Sequence, residues 1–266
     1  MPKRRFASKA YLPEAEQKIK VLVCMPAYNE SATIGDIIAD IRKVIPAGFD
    51  LLVIDDGSED LTREACKVRG VKVISHIFNM GYGAAVKTAY KYAAENGYDL
   101  VIQLDADGQH DVSNILPIYE RLMADDVPDI VIGSRFLKGA GVYKIPVLKR
   151  MGIGIFRLLI LMAGRLRITD PTSGLQGIRR NAFSYYAGFN NFAVDYPDAN
   201  MIIQMAMKGY KICEIPALMY DRSYGVGMHA GLQKQMAYGI KMLLSMFVVF
   251  FRELKRQPKV YYRKPK

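Results

Sequence analysis

The sequence predicts an α/β protein, a doubly wound and mostly parallel sheet followed by amphipathic C-terminal helices, on three observations. From Lys20 to about Gly133, short apolar runs alternate in strict turn with stretches of helical period. Several of those runs end in polar, mostly acidic residues. A long helical pattern, Leu232 to Leu254, then closes the chain ahead of Lys255, Arg256, Lys259, Arg263 and Lys264.

Taken in order, Val21-Leu-Val-Cys-Met25 is a first strand ended by Pro26, and Ile34, Ile37, Ile38, Ile41 and Ile45 follow at helical spacing. Leu51–Ile54, Val71–Ile74, Leu100–Leu104 and Ile130–Ile132 are the next four strands, with helices expected over about 59–69, 82–96 and 112–124. Strand and helix in alternation require parallel neighbours joined by crossovers, with helices on both faces of the sheet. Beyond Gly133 the pattern loosens, with helices expected near 145–166 and 199–208 and short strands near 174–179 and 211–215. The 266 residues fit one large domain, and no Ser/Gly/Pro-rich linker divides them. The organisation expected is a basic tail over 1–19, a catalytic domain over 20–230, and a membrane-surface helix with a basic tail over 231–266.

Composition excludes several classes. At 51% hydrophobic and 24% charged residues the chain can bury a core, so disorder is excluded for most of it. Cys24, Cys66 and Cys213 are odd in number and far apart, which argues against a disulfide framework or a zinc site and for a reducing cytosol. No apolar segment follows the basic start Met-Pro-Lys-Arg-Arg, so no secretory signal is expected. The net charge of +11 sits almost wholly in the tails, +4 over residues 1–20 and +6 over 252–266. The folded part is therefore nearly neutral, and nucleic acid is not an expected partner. Basic ends fit either an anionic membrane surface or plain solvation. The apolar run Met242–Phe251 has ten residues where a spanning helix needs about 20. It and Phe156–Arg165 therefore read as helices lying in a membrane interface or packing on the core.

In open parallel sheets the ligand site forms at the carboxyl ends of the strands. Here those ends carry Pro26-Ala27-Tyr28-Asn29-Glu30, Asp55-Asp56-Gly57-Ser58 and Asp105-Ala106-Asp107-Gly108-Gln109-His110. Asp105 and Asp107, two apart at a strand end, share a face, and Gln109 continues the spacing. Their oxygens suit a hard ion, Mg²⁺ or Mn²⁺, completed by water and substrate phosphates. A lone D-x-D is more often a loop or helix cap than a metal site; this one follows an apolar strand and faces a second acidic turn. Gly81-Tyr-Gly-Ala-Ala-Val-Lys87-Thr88 lacks the Gly that a P-loop needs at Val86, and no G-x-G-x-x-G follows the first strand, so neither a nucleotide triphosphatase nor a dinucleotide oxidoreductase is expected. Asn79, Gly81 and Gly83 read either as a close backbone approach beside a ligand or as a helix-entry turn. The metal candidates and the scattered Arg135, Arg150, Arg179 and Arg222 suit chemistry on phosphates.

Together these residues resemble the family 2 glycosyltransferases of GT-A fold, and among them the dolichyl-phosphate mannosyltransferase group and its bacterial polyprenyl-phosphate relatives. The resemblance runs from about Val21 to Arg252. It rests on Pro26–Glu30, Asp55–Ser58, Asn79-x-Gly-x-Gly83, Asp105–Gln109, Gly133-Ser-Arg135 and Asp170-Pro-Thr-Ser-Gly174, with Gly141-Val-Tyr, Leu148-Lys-Arg150 and Arg222-x-x-Gly225 for the subgroup. It implies that Pro26, Ala27, Tyr28, Glu30, Asp55, Asp56, Gly57, Asn79, Gly83, Asp105 and Ala106 bind the donor, UDP- or GDP-linked, and that Arg222 meets its diphosphate. It implies a metal on Asp105, Asp107 and Gln109, and acceptor phosphate contacts from Arg135, Lys149, Arg150 and Ser173. Asp107, Arg135 and Asp198 are the catalytic candidates. Where relatives carry an acidic residue in the helix before the 211–215 strand the chain has Asp198 and Asn200, and if the Asn200 position is the important one a carboxylate has been lost. The activity implied is inverting transfer of one sugar to a polyprenyl phosphate, dolichyl or undecaprenyl, by a peripheral protein at the cytosolic membrane face. A small integral membrane partner is the expected substitute for the C-terminal transmembrane hairpin of many bacterial relatives. Two other readings are a family 2 transferase acting on a sugar hydroxyl and a non-catalytic nucleotide-sugar-binding subunit.

Overall fold

The computed structural model describes residues 19–141, 145–221 and 232–256. Its sheet begins with β1 (Val21–Ala27), buried along its whole length because helices cover both of its faces. Outward from β1 lie β2 (Phe49–Asp55) and β3 (Lys72–Ser75), both parallel to it. On the other side lies β4 (Leu100–Gln103), also parallel. Next comes β6 (Gln176–Arg179), antiparallel to both β4 and β5 (Ile130–Ser134), and β7 (Ile212–Pro216) closes the edge parallel to β5. The order is β3-β2-β1-β4-β6-β5-β7.

Pro26 does not end the first strand, as the sequence reading expected, and the register shows why a proline fits there. The β1–β4 pairing stops at Cys24 and Gln103, whereas the β1–β2 pairing continues to Ala27 and Asp55. Cys24 accepts from Leu104 N–H on the β4 side and Ala27 accepts from Asp56 N–H on the β2 side. Pro26, two residues after Cys24, thus faces the β4 side beyond the last ladder pair, where a missing N–H costs nothing. The two central strands part at this point, and the cleft between their ends becomes the site.

Alternate residues of β1 serve the two faces. Val21, Val23 and Met25 join Ile34, Ile38 and Ile41 of α1 (Ile34–Val44) and Ile115, Ile118 and Leu122 of α4 (Ile115–Leu122) in one core; α2 (Thr62–Val68) adds Cys66. Leu22 and Cys24 join the opposite core with α3 (Tyr82–Glu95), α5 (Val147–Gly164), α6 (Arg180–Ala187), α7 (Ala199–Met207) and α8 (Leu232–Arg256). The helix expected over 112–124 begins as a 3₁₀ turn, Val112–Asn114. Helix α6 was not read from the sequence; its Ala182, Phe183 and Tyr186 bury against α3 in a segment too short to show a period.

α8 is amphipathic in two senses. Met242, Met246 and Val249 are buried in the core, while Met236, Ile240, Leu244, Phe247, Val248, Phe251 and Leu254 are exposed. α5 likewise buries Ile153, Phe156 and Ile160 and exposes Met151, Ile155, Leu158, Leu161 and Met162. Among the described residues no helix is long and apolar enough to cross a membrane.

Helix α4 lies close on the sheet because β6 carries glycine beneath it: a Cβ on Gly177 would stand 2.2 Å from Ile118 Cγ2 and 2.9 Å from Leu122 Cδ1. Gly177→Ala is expected to destabilise the fold by about 1–3 kcal/mol through overpacking, read as a lower denaturant midpoint at unchanged slope.

Candidate active site

Two turns make one wall of the cleft, and they are laced to each other. After β1, Asn29 takes a left-handed conformation (φ 56°), its N–H donates to Ser58 Oγ (3.0 Å) and its Oδ1 accepts from Glu59 N–H (2.9 Å). Glu30 N–H donates to Thr62 Oγ1 (2.8 Å) and Ser31 N–H to Asp60 Oδ2 (3.1 Å). Burial raises the Asp60 carboxyl, but donors from Thr62 and Ser31 outweigh it and hold the pKa below the usual value. Beside this lacing an open cavity of about 450 Å³ lies between the β2 turn and the 75–79 segment, lined by Tyr28, Asp55, Gly57, Ser58, Glu59, Arg63, His76, Phe78 and Asn79, among others. That volume is in the range of small-ligand sites. Asp60 and Thr62 were not singled out from the sequence, and Asn29 and Ser58 stood in the strand-end motifs with no role of their own.

Several residues expected at the donor turn out to build the wall instead. Asp56 is buried and accepts from His76 Nδ1 (2.6 Å), Met80 N–H (2.9 Å) and Gly81 N–H (2.8 Å), so it ties down the 76–81 loop. His76 Nε2 in turn reaches Thr88 Oγ1 (2.9 Å). Gly57 (φ 70°) lets that loop pass, since a Cβ there would meet Phe78 C at 2.5 Å. At Gly83 a Cβ would stand 2.2 Å from Val194 O, so its close approach is to protein backbone and not to a ligand. Asn79 is exposed at the cavity, its Oδ1 accepting from Gly81 N–H. Pro26 and Ala27 are buried in β1, Glu30 is buried behind the turn, and Ala106 lends its carbonyl to Thr33 Oγ1 (3.1 Å).

The other wall is the turn after β4. Asp105 Oδ1 accepts from Tyr82 O–H (2.9 Å), and Asp105 N–H donates to His110 Nδ1 (3.0 Å). Burial depresses the His110 pKa to about 4, which leaves a neutral imidazole beside the carboxylates. Asp107 Oδ1 accepts from Gln109 N–H (3.0 Å) across Gly108 (φ 78°), and Gln109 Nε2 donates to Tyr220 O (3.2 Å). Asp105, Asp107 and Gln109 are thus brought together, half-buried, at the rim. Among the described residues no group of three or more His, Cys, Asp or Glu side chains forms a metal cage. The donor set fits a hard divalent ion that keeps water and takes phosphate oxygens, because it offers two carboxylates and an amide on one turn and no sulfur.

The far side of the rim comes from β5, the 169–174 loop and α7. Arg135 is paired in bidentate fashion with the fully buried Asp170 through Nε (2.7 Å) and Nη2 (2.7 Å), and Nη2 also reaches Thr172 Oγ1 (2.9 Å). Glu214 of β7 holds that loop by accepting from Thr169 N–H and Asp170 N–H, both at 2.7 Å. A phosphate contact by Arg135 therefore has to be made alongside this buried pair or at its expense. Ser173, expected at the acceptor, is buried with its hydroxyl donating to Gly133 O (2.6 Å) and does not face the rim. Arg179 is also structural, its Nε donating to Pro128 O (3.0 Å) and its Nη2 to Leu122 O. Lys149 and Arg150 stand on the first turn of α5, and the protein crowded around the Lys149 ammonium, then Arg135, lower its pKa. Arg222, with the 222–231 segment, lies outside the described residues.

Asp198, before α7, accepts from Tyr238 O–H of α8 (2.6 Å), and desolvation, against that bond, raises its pKa to about 6. Asn200 is fully buried, donates to Ser245 Oγ (2.7 Å) and accepts from Asp198 N–H (3.0 Å), so it shapes the turn that presents Asp198. Burial pushes the Cys24 thiol up to about 12, which removes it as a nucleophile.

The fold matches that of glucosyl-3-phosphoglycerate synthase from Mycobacterium tuberculosis, crystallised with Mn²⁺ and UDP-glucose, at a TM-score of 0.64 over 88% of this chain and 80% of that one, with 19% sequence identity. The architecture is that of a GT-A glycosyltransferase. Residues 22–186 match glycosyl transferase family 2, and the chain belongs to that family. It is 31% identical over 202 residues to a dolichyl-phosphate hexose transferase of Haloferax volcanii, covering 76% of this chain and 83% of that one. It is 27% identical over 224 residues to an undecaprenyl-phosphate mannosyltransferase of Micrococcus luteus, covering 80% and 88%.

A carboxyl with a raised pKa keeps its proton longer in the native state than in the unfolded chain. Its contribution to stability is complete below the unfolded value of 3.8 and is lost as pH rises through about 6. Asp198→Asn, which retains an acceptor for Tyr238, is expected to gain on the wild type in melting temperature from pH 4 to pH 7, by the equivalent of about 2 kcal/mol. Parallel melting curves across that range check it.

Proposed function

We propose that the chain moves one sugar from a UDP- or GDP-linked donor to a polyprenyl phosphate, as a peripheral protein at the cytosolic face of a membrane. The observation that carries this reading is that both helices with outward apolar faces begin at the acidic rim. The Lys149 ammonium in the first turn of α5 feels Arg135, Asp170 and Asp198, and Tyr238 near the start of α8 bonds Asp198 directly. An acceptor with a phosphate head and a hydrocarbon tail suits that layout, with its head at the rim and its tail beside side chains that insert into an anionic lipid surface. The Haloferax and Micrococcus relatives, a dolichyl-phosphate hexose transferase and an undecaprenyl-phosphate mannosyltransferase, support the same acceptor class.

The donor's nucleoside occupies the cavity between the β2 turn and the 75–79 segment, with Tyr28 and Asp55 in its lining and its diphosphate toward Asp105 and Asp107. Those two aspartates and Gln109 would hold Mg²⁺ or Mn²⁺, which supplies positive charge to the departing nucleoside diphosphate. The acceptor phosphate is already an anion at neutral pH, so it attacks the anomeric carbon without a general base. Lys149 and Arg150 receive that anion, and Arg135, fixed by Asp170, sets the positive potential of the pocket. Displacement in one step inverts the anomeric centre.

A second reading has one observation in its favour. A sugar hydroxyl acceptor needs a base, and Asp198, raised to about 6, is a carboxylate with fitting basicity at the rim. Labelled donor supplied to a polyprenyl phosphate in vesicles and to saccharide acceptors side by side decides the matter: label in the lipid is expected, and label in saccharide alone overturns the proposal. Asp107→Ala is expected to lower turnover about 100-fold or more with the melting temperature nearly unchanged. Full activity in that variant contradicts the metal role.

A further inference from the structure

The segment Gly81–Thr88 resembles a phosphate loop without being one, and the structure gives it another task. Its Tyr82, the first residue of α3, points its hydroxyl at Asp105 Oδ1 (2.9 Å). Behind it stands Gln103, the last residue of β4, whose Nε2 donates to Tyr82 Oη (2.9 Å) and to Gly174 O (3.0 Å). Behind Gln103 stands Tyr90, buried to 1% exposure between Tyr186 and Phe192, with its hydroxyl donating to Gln103 Oε1 (2.6 Å).

The direction of this chain is not a matter of choice. A backbone carbonyl only accepts, so Gly174 O requires the nitrogen of the Gln103 amide on its side and the oxygen toward Tyr90. Tyr82 Oη then accepts from Gln103, and its single proton has one place to go, the carboxylate of Asp105. Tyr90 and Gln103 are buried, Tyr82 and Asp105 half-buried, and each link polarises the next. Gly174 fits the same cluster closely: a Cβ there would stand 2.8 Å from both Asp105 Oδ2 and Tyr82 Oη. That contact accounts for the glycine in Asp170-Pro-Thr-Ser-Gly174. On the other side, His110 accepts from Asp105 N–H through Nδ1, which puts the proton of the neutral ring on Nε2, 3.8 Å from Asp105 Oδ2.

We propose that Tyr82 is a positioning residue that fixes the rotation of the Asp105 carboxylate, and with it the direction in which Asp105 offers oxygen to a divalent ion. The inference rests on the reading of Asp105 and Asp107 as metal ligands. A metal-binding carboxylate held by an outer partner binds its ion more tightly than one that must be ordered on binding. Tyr82→Phe removes one hydroxyl and leaves Gln103 bonded to Gly174, so the fold should persist.

The test is a Mn²⁺ titration of wild type, Tyr82→Phe and Asp107→Ala, each with UDP and separately with GDP, following free Mn²⁺ by electron paramagnetic resonance. Tyr82→Phe is expected to weaken Mn²⁺ binding about 10-fold, with the metal-free melting temperature lowered by no more than about 4 °C. Asp107→Ala is expected to abolish binding. Wild-type Mn²⁺ affinity in Tyr82→Phe, with binding lost in Asp107→Ala, overturns the role of Tyr82 alone. Undiminished binding in Asp107→Ala, or none in the wild type, overturns the metal reading and this inference with it.

Discussion

The rest of the site depends on how the protein concentrates negative charge at one rim of its sheet. Asp105, Asp107, Asp170 and Asp198 lie close enough to act on one another or on shared neighbours, and like charges at such range oppose ionisation. Each is managed differently. Asp170 is neutralised by Arg135 in a fully buried bidentate pair, and loss of one partner from such a pair costs about 3–5 kcal/mol. Asp198 is raised toward neutrality by desolvation. Asp105 is held from behind by a phenol and from the side by a neutral imidazole, neither of which supplies a full positive charge. Two neutral groups thus fix Asp105 in place.

Most of the sheet was legible in the sequence, because strands buried on both faces read as unbroken apolar runs and the helices between them show one apolar stripe. What escaped was non-local. β6 runs antiparallel between β4 and β5, and nothing in Gln176–Arg179 encodes its neighbours. The proline that closes the readable part of β1 marks the point where β4 departs, a fact held in the register and not in the residue.

The site was legible by location and less so by direction. The acidic turns do converge as expected, but a motif cannot say which of its side chains turns inward. Of Asp55 and Asp56, the first lines the cavity and the second binds the backbone of the neighbouring loop. Ser173 and Gly83 sit within matching motifs, yet their contacts are with Gly133 and Val194, partners 40 and more than 100 residues away. Asn200 was open to reading as a lost carboxylate; in space it is an amide that a half-buried Ser245 and the backbone of Asp198 both require. The terminal helix was open to two readings, core packing or an interfacial surface, and its two apolar faces explain why composition favoured neither.

Crystals of the chain soaked with Mn²⁺ and a nucleoside diphosphate, with the anomalous scattering of manganese located, address the central claim most directly. The account predicts one strong peak bridging the carboxylates of Asp105 and Asp107 to the diphosphate, with the base in the cavity beside Tyr28 and Asp55. A diphosphate bound with no manganese at those aspartates, or a nucleotide seated away from the ends of β1, β2 and β4, contradicts it.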